Sequence, residues 1–239
     1  MDKTVPLPAA GLLDFIASFE APKGYDTVYA NRMAQMPKPL TSMTLNEVIA
    51  DGSRRTTMFG SSACGRYQFM KATLIGLRDE LGLTGRELFT PDLQDRLGYH
   101  LLVRRGYPRF ISGAIGPVAF GLAIAQEWAS FPVLANRQGA HRAVTRGQSY
   151  YAGDGLNKAL VKPEAVEVAL SKALATAAMV ATAAPAPPVV VAVVEPKPLP
   201  APIPVVPAVP DPVPVSNTRT VWQRMADRLR AAFPPTKKA

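Results

Sequence analysis

The sequence is poor in the residues that bind metals and form covalent cross-links. Its 239 residues include one cysteine, Cys64, and two histidines, His100 and His141. A single cysteine excludes an intramolecular disulfide and a thiolate zinc cage, because both require several sulfurs. The two histidines are far apart in the chain, and their spacing favours no shared metal site. We therefore expect chemistry that uses no metal and no other cofactor.

The sequence also lacks a long uninterrupted hydrophobic run. Pro6, Pro8, Gly11 and Asp14 interrupt the apolar residues near the N-terminus before a signal-peptide core can form. The apolar stretch 173–184 has about 12 residues, whereas about 20 are needed to cross a bilayer. These features predict a protein made in the cytoplasm without a recognisable signal peptide, and soluble when made.

Proline is concentrated in one part of the chain. Twelve of the 24 prolines lie between residues 185 and 214, separated mainly by valine and alanine. Proline has no N–H for a strand ladder, so this composition favours an extended, disordered linker. We predict three segments: a domain at 1–182, a Pro/Val/Ala-rich linker at 183–215 and a basic tail at 216–239.

The tail is the most basic part of a chain whose net charge is +9. Val221, Trp222, Met225 and Leu229 share one face of a predicted short amphipathic helix, and arginines occupy its other positions. Such helices bind anionic membranes or lipopolysaccharide, or they dock on their own domain or fray in solvent. Beyond Trp222 and Phe233 the tail has no aromatic residues among its cations, so we expect no specific nucleic-acid partner.

The domain has mainly helical periodicity. Leu12, Phe15, Ile16 and Phe19 are spaced i, i+3, i+4 and i+7, which places them on one face of a helix. Prolines at positions 8 and 22 suit its first turn and its end. Further helices are predicted over 44–51, 68–81, 91–104, 116–127 and 163–179, with loops and a short hairpin within 25–40 and 52–65.

Glu20 is the first candidate catalytic residue. It lies in the last turn of the first predicted helix, where the helix dipole and the unpaired carbonyls disfavour an anion. Burial beside the neighbouring phenylalanines raises the pKa of a carboxyl in the same direction. A glutamate that is protonated near neutral pH suits general acid catalysis. A glutamate at a helix end is also commonly a solvated surface residue, and this alternative stays open.

The second candidate region is the run 61–70, in which small residues give way to Arg66, Tyr67 and Gln68. Such a turn brings donors close to a polar ligand, and Gly65 permits close approach. Alternatively, Tyr67 belongs to the core. Cys64 is a poor nucleophile candidate, because no histidine lies near it in sequence and a small buried thiol is the usual state.

Several motifs occur in an order that resembles phage-lambda-type endolysins, over residues 12–158. They are Phe15–Glu20, Gly24-Tyr25-Asp26, Ala63–Phe69, Leu81-Gly82-Leu83, Gln94-Asp95 and Trp128-Ala129-Ser130-Phe131-Pro132. The resemblance implies a mainly α (α+β), lysozyme-like fold and a lytic transglycosylase that acts on peptidoglycan. The family commonly has Ser-Glu-Gly around its acid, whereas this chain has Phe19-Glu20-Ala21, so the local shape of the cleft differs.

The resemblance assigns catalysis to Glu20 and substrate binding to residues of the later motifs. Arg66 is alternatively a structural ion pair, and Trp128 is alternatively a core residue. Two tyrosines ahead of a glycine-rich turn are further candidates for the cleft rim. The predicted substrate-binding residues are Tyr25, Arg66, Tyr67, Gln68, Trp128, Tyr150 and Tyr151.

The implied reaction cleaves the β-1,4 bond between N-acetylmuramic acid and N-acetylglucosamine and leaves 1,6-anhydromuramic ends. A hydrolytic lysozyme is the alternative, with Asp26, Asp51 or Asp95 as the second carboxylate. A third alternative is a non-catalytic peptidoglycan-binding or membrane-active protein. The expected place of action is the cell wall, reached from the periplasm or from a virion. Phage, prophage and host settings stay open, as does the oligomeric state.

Overall fold

The computed structural model describes residues 1–183, and these form the mainly helical domain with a small sheet that the sequence predicts. Short 3-10 turns occupy Tyr29–Asn31, Met33–Gln35 and Leu40–Ser42. Residues 184–239, which hold the predicted tail and nearly all of the predicted linker, lie outside the described residues. The helices and strands are α1 Leu7–Glu20, α2 Leu45–Phe59, α3 Lys71–Glu80, α4 Pro91–Arg104, α5 Tyr107–Ile111, α6 Pro117–Glu127, β1 Arg137–Gln138, β2 Ala143–Val144 and α7 Pro163–Ala183.

The helix ends follow from local sequence signals. Pro8 lies in the first turn of α1, where its missing N–H has no helical partner to lose. The predicted capping box at the start of α2 is present: the Thr44 hydroxyl accepts from the Glu47 N–H, and the Glu47 carboxylate accepts from the Thr44 N–H. Thr90 caps α4 in a similar way, through a bond from the Leu93 N–H. These caps define where helices begin independently of the core.

Helix α2 is longer than predicted, because Gly52 lies inside it and not in a loop. A Cβ at Gly52 would lie 3.0 Å from the Cβ of Lys71, so the glycine allows α2 to approach the start of α3 closely. The helix ends at Gly60, which has a left-handed φ of +87°. The prediction of a loop over 52–65 is therefore wrong for its first eight residues.

Two further elements differ from the prediction. The short α5 was not predicted, and its five residues are too few to display a helical period. The antiparallel hairpin of β1 and β2 pairs Arg137 with Val144, far from the two loops in which a hairpin was expected. Three of its four residues are exposed, so it shows no alternating apolar pattern. The region 25–40 is irregular, as predicted.

Helix α7 packs along α1 and covers one side of the core. Burying apolar side chains of this size stabilises a fold by about 1.5–3 kcal/mol each. Buried residues of both helices belong to one core cluster, among them Leu12, Leu13 and Ile16 of α1 and Val166, Leu170 and Ala173 of α7. Helix α1, which ends at Glu20, is therefore held in place by α7.

Helix α7 also corrects the expectation that no segment reaches the length of a membrane span. It has 21 residues, and an 18-residue window within it has a mean hydropathy of 1.4, so it is long and apolar enough by length and composition. The expectation counted only the apolar stretch 173–184, although the helix predicted over 163–179 already begins ten residues earlier. Core helices meet the same criterion, and Val166, Leu170 and Ala173 of α7 are buried in the domain.

Candidate active site

Glu20 is the last residue of α1, as the helix prediction placed it. The Ala21 N–H closes the helix on the carbonyl of Ala17. The rings of Phe15 and Phe19 lie edge-to-face with each other and with Phe131, at centroid distances of 5.4, 5.8 and 6.1 Å. Burial raises the pKa of Glu20 to about 7. The carboxyl is therefore available in both protonation states near neutral pH.

Ser130 is the hydrogen-bond partner of Glu20. Its hydroxyl donates to Oε1 of the carboxylate across 110 residues of sequence. This bond favours the charged form and lowers the pKa of Glu20, opposing the larger effect of burial. Within residues 1–183, burial and this bond are the two effects that set that pKa, and no charged neighbour is among them. Ser130 lies in one of the motifs quoted above but is not among the site residues predicted from the sequence.

The three aspartates considered as a second carboxylate have different surroundings. Asp51 forms ion pairs with Arg54 and Arg55 at 2.5 and 2.8 Å. Asp95 is fully buried and hydrogen-bonded through both oxygens. Asp26 is half-buried and accepts the Thr41 N–H at 2.8 Å. Of the three aspartates, Asp26 therefore has the fewest hydrogen-bond and ion-pair partners among the described residues.

The turn after Cys64 is closed by the backbone. Cys64 and Phe69 exchange two N–H···O bonds of 3.1 and 2.8 Å, so the four residues between them form a tight turn ahead of α3. Gly65 has a φ of +76°, and a Cβ there would lie 2.5 Å from Oε1 of Gln94. Gln68 adopts a left-handed φ of +49°, which is costly for a non-glycine residue and is common at functional sites.

Gln94 and Asp95 of α4 hold this turn and the Tyr25 segment together. Gln94 Oε1 accepts the Arg66 N–H at 2.8 Å, and its Nε2 donates to the Tyr25 carbonyl at 3.1 Å. The hydroxyl of Tyr67 donates to Asp95 at 2.7 Å, and that of Tyr25 donates at 3.1 Å. The Tyr25 segment and the Cys64–Phe69 turn, which lie far apart in the sequence, are therefore held together by one pair of neighbouring side chains.

Arg66 forms the ion pair that was considered as an alternative to substrate binding. Its Nη2 lies 2.6 Å from Oδ1 of Asp14 on α1, and its guanidinium lies over the Tyr25 ring, 4.8 Å from the centroid. Its buried Nε is the one side-chain atom of that kind, within the described part of the chain, that has no hydrogen-bond partner. Arg66 thus fastens the turn to α1 and retains one free donor.

The aromatic candidates differ in accessibility. Trp128 is 4% exposed, and its Nε1 donates to the Tyr67 carbonyl at 3.1 Å, so it joins its own motif to the turn. Tyr67 is 1% exposed, and Tyr151 is buried with its hydroxyl on the Gln126 carbonyl. Tyr150 is half-buried and packs edge-on against Tyr151. Tyr67, Trp128 and Tyr151 therefore have little surface for a sugar, whereas Tyr150 has more.

Cys64 lies in the core, and burial raises the pKa of its thiol to about 11. A thiol in this state is a poor nucleophile near neutral pH. Among residues 1–183, no group of three His, Cys, Asp or Glu side chains is arranged to hold a metal ion. The chemistry of the described site therefore centres on the Glu20 carboxyl.

Residues 19–156 match the endolysin family. This range is more than half of the chain. The matched range begins one residue before Glu20 and includes the Cys64–Phe69 turn, the Gln94-Asp95 pair and Ser130. No curated protein and no solved structure matches the chain.

Proposed function

Because the chain belongs to the endolysin family and is therefore a cell-wall-degrading enzyme, we propose that it cleaves peptidoglycan as a lytic transglycosylase with Glu20 as the only acid and base. The observation that carries the proposal is the environment of Glu20. Its carboxyl is desolvated, has a pKa of about 7, and has a hydroxyl, not a second carboxylate, as its partner. We also propose that the helical domain is a lysozyme-like fold.

In the proposed reaction, protonated Glu20 donates its proton to the glycosidic oxygen between N-acetylmuramic acid and N-acetylglucosamine. The bond from C1 to that oxygen breaks, and N-acetylglucosamine leaves as an alcohol. The Glu20 carboxylate then removes the proton of the muramic C6 hydroxyl, whose oxygen attacks C1. Glu20 is protonated again, no water is consumed, and the product is a 1,6-anhydromuramic end. An internal nucleophile has a large entropic advantage over a separate water.

The other predicted site residues divide into two groups in this proposal. Gln68, Tyr150 and the Arg66 side chain are half-buried and contact the sugar. Tyr25, Tyr67, Trp128 and Tyr151 shape the cleft from behind, through the hydrogen bonds described above.

Hydrolysis is the second candidate, and the state of Asp26 favours it over a use of Asp51 or Asp95. Asp26 is half-buried and has one backbone donor on Oδ1, whereas the other two aspartates are held by ion pairs or by several donors. In a hydrolytic lysozyme, Asp26 activates a water or forms a glycosyl intermediate while Glu20 acts as the acid.

Product analysis separates the two candidates. Purified peptidoglycan is digested with the full-length protein, and the masses of the muropeptides are measured by mass spectrometry. We expect anhydromuramic ends, which are one water lighter than the reducing ends of a hydrolase. Reducing ends as the main product contradict the transglycosylase proposal, and Asp26→Asn then becomes the next variant to test. An undigested sample supplies the natural background of anhydromuramic ends.

The setting and the tail are further parts of the proposal and rest on the sequence alone. We propose that the protein acts in phage or prophage lysis, on the periplasmic side of the membrane. In this proposal the arginines of the tail at 216–239, and the apolar face predicted for it, attract anionic lipid or lipopolysaccharide.

A further inference from the structure

The segment that carries Ser130 is fastened to the domain on both sides. Trp128 donates to the Tyr67 carbonyl, and the Ser149 hydroxyl donates to the Ala129 carbonyl at 2.8 Å. The Ser130 carbonyl accepts the N–H groups of Leu160 and Val161 at 2.8 and 3.4 Å. The backbone at Ser130 is therefore held by three separate parts of the chain. Its side chain has a defined direction, toward the end of α1.

The hydroxyl of Ser130 distinguishes the two oxygens of Glu20. It donates to Oε1, which leaves Oε2 as the oxygen without this donor. We propose that Ser130 is a positioning residue of the reaction: it fixes the Glu20 carboxyl through Oε1, so that Oε2 delivers and recovers the proton. This inference rests on the proposed role of Glu20 as the acid and base.

The chemistry of the cycle explains why a hydroxyl suits this position. After proton delivery, Glu20 is an anion at a desolvated position, and desolvation disfavours charge. A hydrogen bond to a charged acceptor is about twice as strong as one between neutral groups, so Ser130 acts mainly on this state. A hydroxyl can also rotate and accept when Glu20 is protonated. A second carboxylate at this place would repel the anion.

The test compares Ser130→Ala with Ser130→Thr, which keeps the hydroxyl. The matched control is Ser18→Ala: Ser18 is exposed on α1, two residues before Glu20, and its hydroxyl bonds only within the helix, to the Phe15 carbonyl. The pKa of Glu20 is measured by carbon NMR of labelled glutamate carboxyls, with Glu20→Gln to assign the signal. The pH profile of kcat is measured on purified peptidoglycan.

We expect Ser130→Ala to raise the pKa of Glu20 by about one unit, a tenfold change in the protonation equilibrium. We expect kcat to fall about tenfold and the alkaline limb of its pH profile to move up with the pKa, because proton recovery loses its hydrogen-bond support. Ser130→Thr keeps most of the parent pKa and rate, and Ser18→Ala changes neither.

An unchanged pKa in folded Ser130→Ala overturns the inference, whether or not the protein cleaves glycan. A rate loss without a shift of the pH profile also overturns it, since a merely structural role has that signature. If the pKa and profile move as expected while the products carry reducing ends, Ser130 keeps its role and the transglycosylase proposal fails. If Ser130→Ala does not fold, Ser130→Cys substitutes a weaker donor, and the pKa must then rise by a smaller amount.

Discussion

Glu20 and Glu80 occupy equivalent positions, each as the last residue of its helix, α1 and α3. Glu80 is exposed, lies 3.1 Å from Nε2 of His100 and forms an ion pair with Arg104 at 3.8 Å. Glu20 is half-buried with a desolvated carboxyl, and it bonds to a neutral hydroxyl. Both carboxyls lie at the C-terminal end of a helix, and the side chains around them differ. A helix-terminal glutamate becomes a candidate acid only when its neighbours exclude water and offer no cation.

The largest expected effect is the loss of activity in Glu20→Gln, with Glu80→Gln as the matched control. The amide keeps the size of Glu20 and a hydrogen-bond acceptor for Ser130, but it cannot donate the required proton. We expect glycan cleavage below about 1% of the parent rate, a barrier increase of at least about 2.7 kcal/mol. Glu80→Gln keeps the parent rate. Cleavage is followed by release of soluble muropeptides.

Residual turnover above that level would remove Glu20 from the role of acid. A comparable loss in Glu80→Gln, with the fold intact by circular dichroism, would show that the two positions are not as different as their surroundings indicate.

The second prediction concerns stability and pH. The pKa of Glu20 is raised from 4.5 to about 7 on folding, so the folded state binds the proton more tightly. The resulting contribution to stability is fully present below about pH 4.5 and is lost as pH rises through about 7. It amounts to about 3 kcal/mol at about 1.4 kcal/mol per pKa unit. We therefore expect Glu20→Gln to gain up to this amount relative to the parent protein between those pH values.

Urea unfolding of the parent, Glu20→Gln and Glu80→Gln at several pH values measures the difference, because other titrating groups cancel between variants. A stability difference between parent and Glu20→Gln that does not change from pH 4.5 to 8 contradicts the raised pKa.

Asp95 sharpens the comparison as a third acid, which is fully buried and hydrogen-bonded through both oxygens. Its oxygens accept from Tyr25, Tyr67 and the Asp2 N–H. Asp95→Asn places an amide group against these donors, and unsatisfied buried groups cost about 1–3 kcal/mol each. We expect the free energy of unfolding to fall by about 2–3 kcal/mol. The exposed Asp92→Asn in the same helix costs less than about 1 kcal/mol, through the helix dipole alone. Equal costs in the two variants mean that Asp95 does not brace the site.

The smallest effect on catalysis is expected from deletion of residues 216–239. We expect unchanged cleavage of purified peptidoglycan, because Glu20 and its neighbours belong to the described domain. Binding to anionic vesicles weakens in a salt-sensitive way, since each arginine near such a surface contributes about 1 kcal/mol. Equal binding by the two proteins contradicts the membrane role. A lower melting temperature of the truncated protein means that the tail docks on the domain.

Much of the helical framework was predictable because its signals are local. The period of α1, the capping box of α2 and the bounds of α4 all come from residues within one or two turns. The position of Gly52 inside α2 was not predictable in this way, since its explanation is the approach of Lys71 from another element.

The candidate site was predictable only as a set of motifs. Glu80 ends a helix as Glu20 does, so the position at a helix end does not distinguish them. Only the order of the motifs singles out Glu20 as the candidate acid. The bond from Ser130 to Glu20 spans 110 residues, and no local pattern indicates it. Likewise, whether Tyr67 faces a ligand or the core depends on the distant Asp95, which receives its hydroxyl.

The C-terminal part of helix α7 also sets how far from the core the described chain ends. Ala173 is its last buried residue, and the ten residues after it are partly or fully exposed. At 1.5 Å per residue, these ten residues form a stem about 15 Å long. The stem is rich in alanine, the best helix former, so it needs few contacts to stay helical. Each residue inserted or removed there changes the standoff by about 1.5 Å and turns the exit direction of the chain by about 100°.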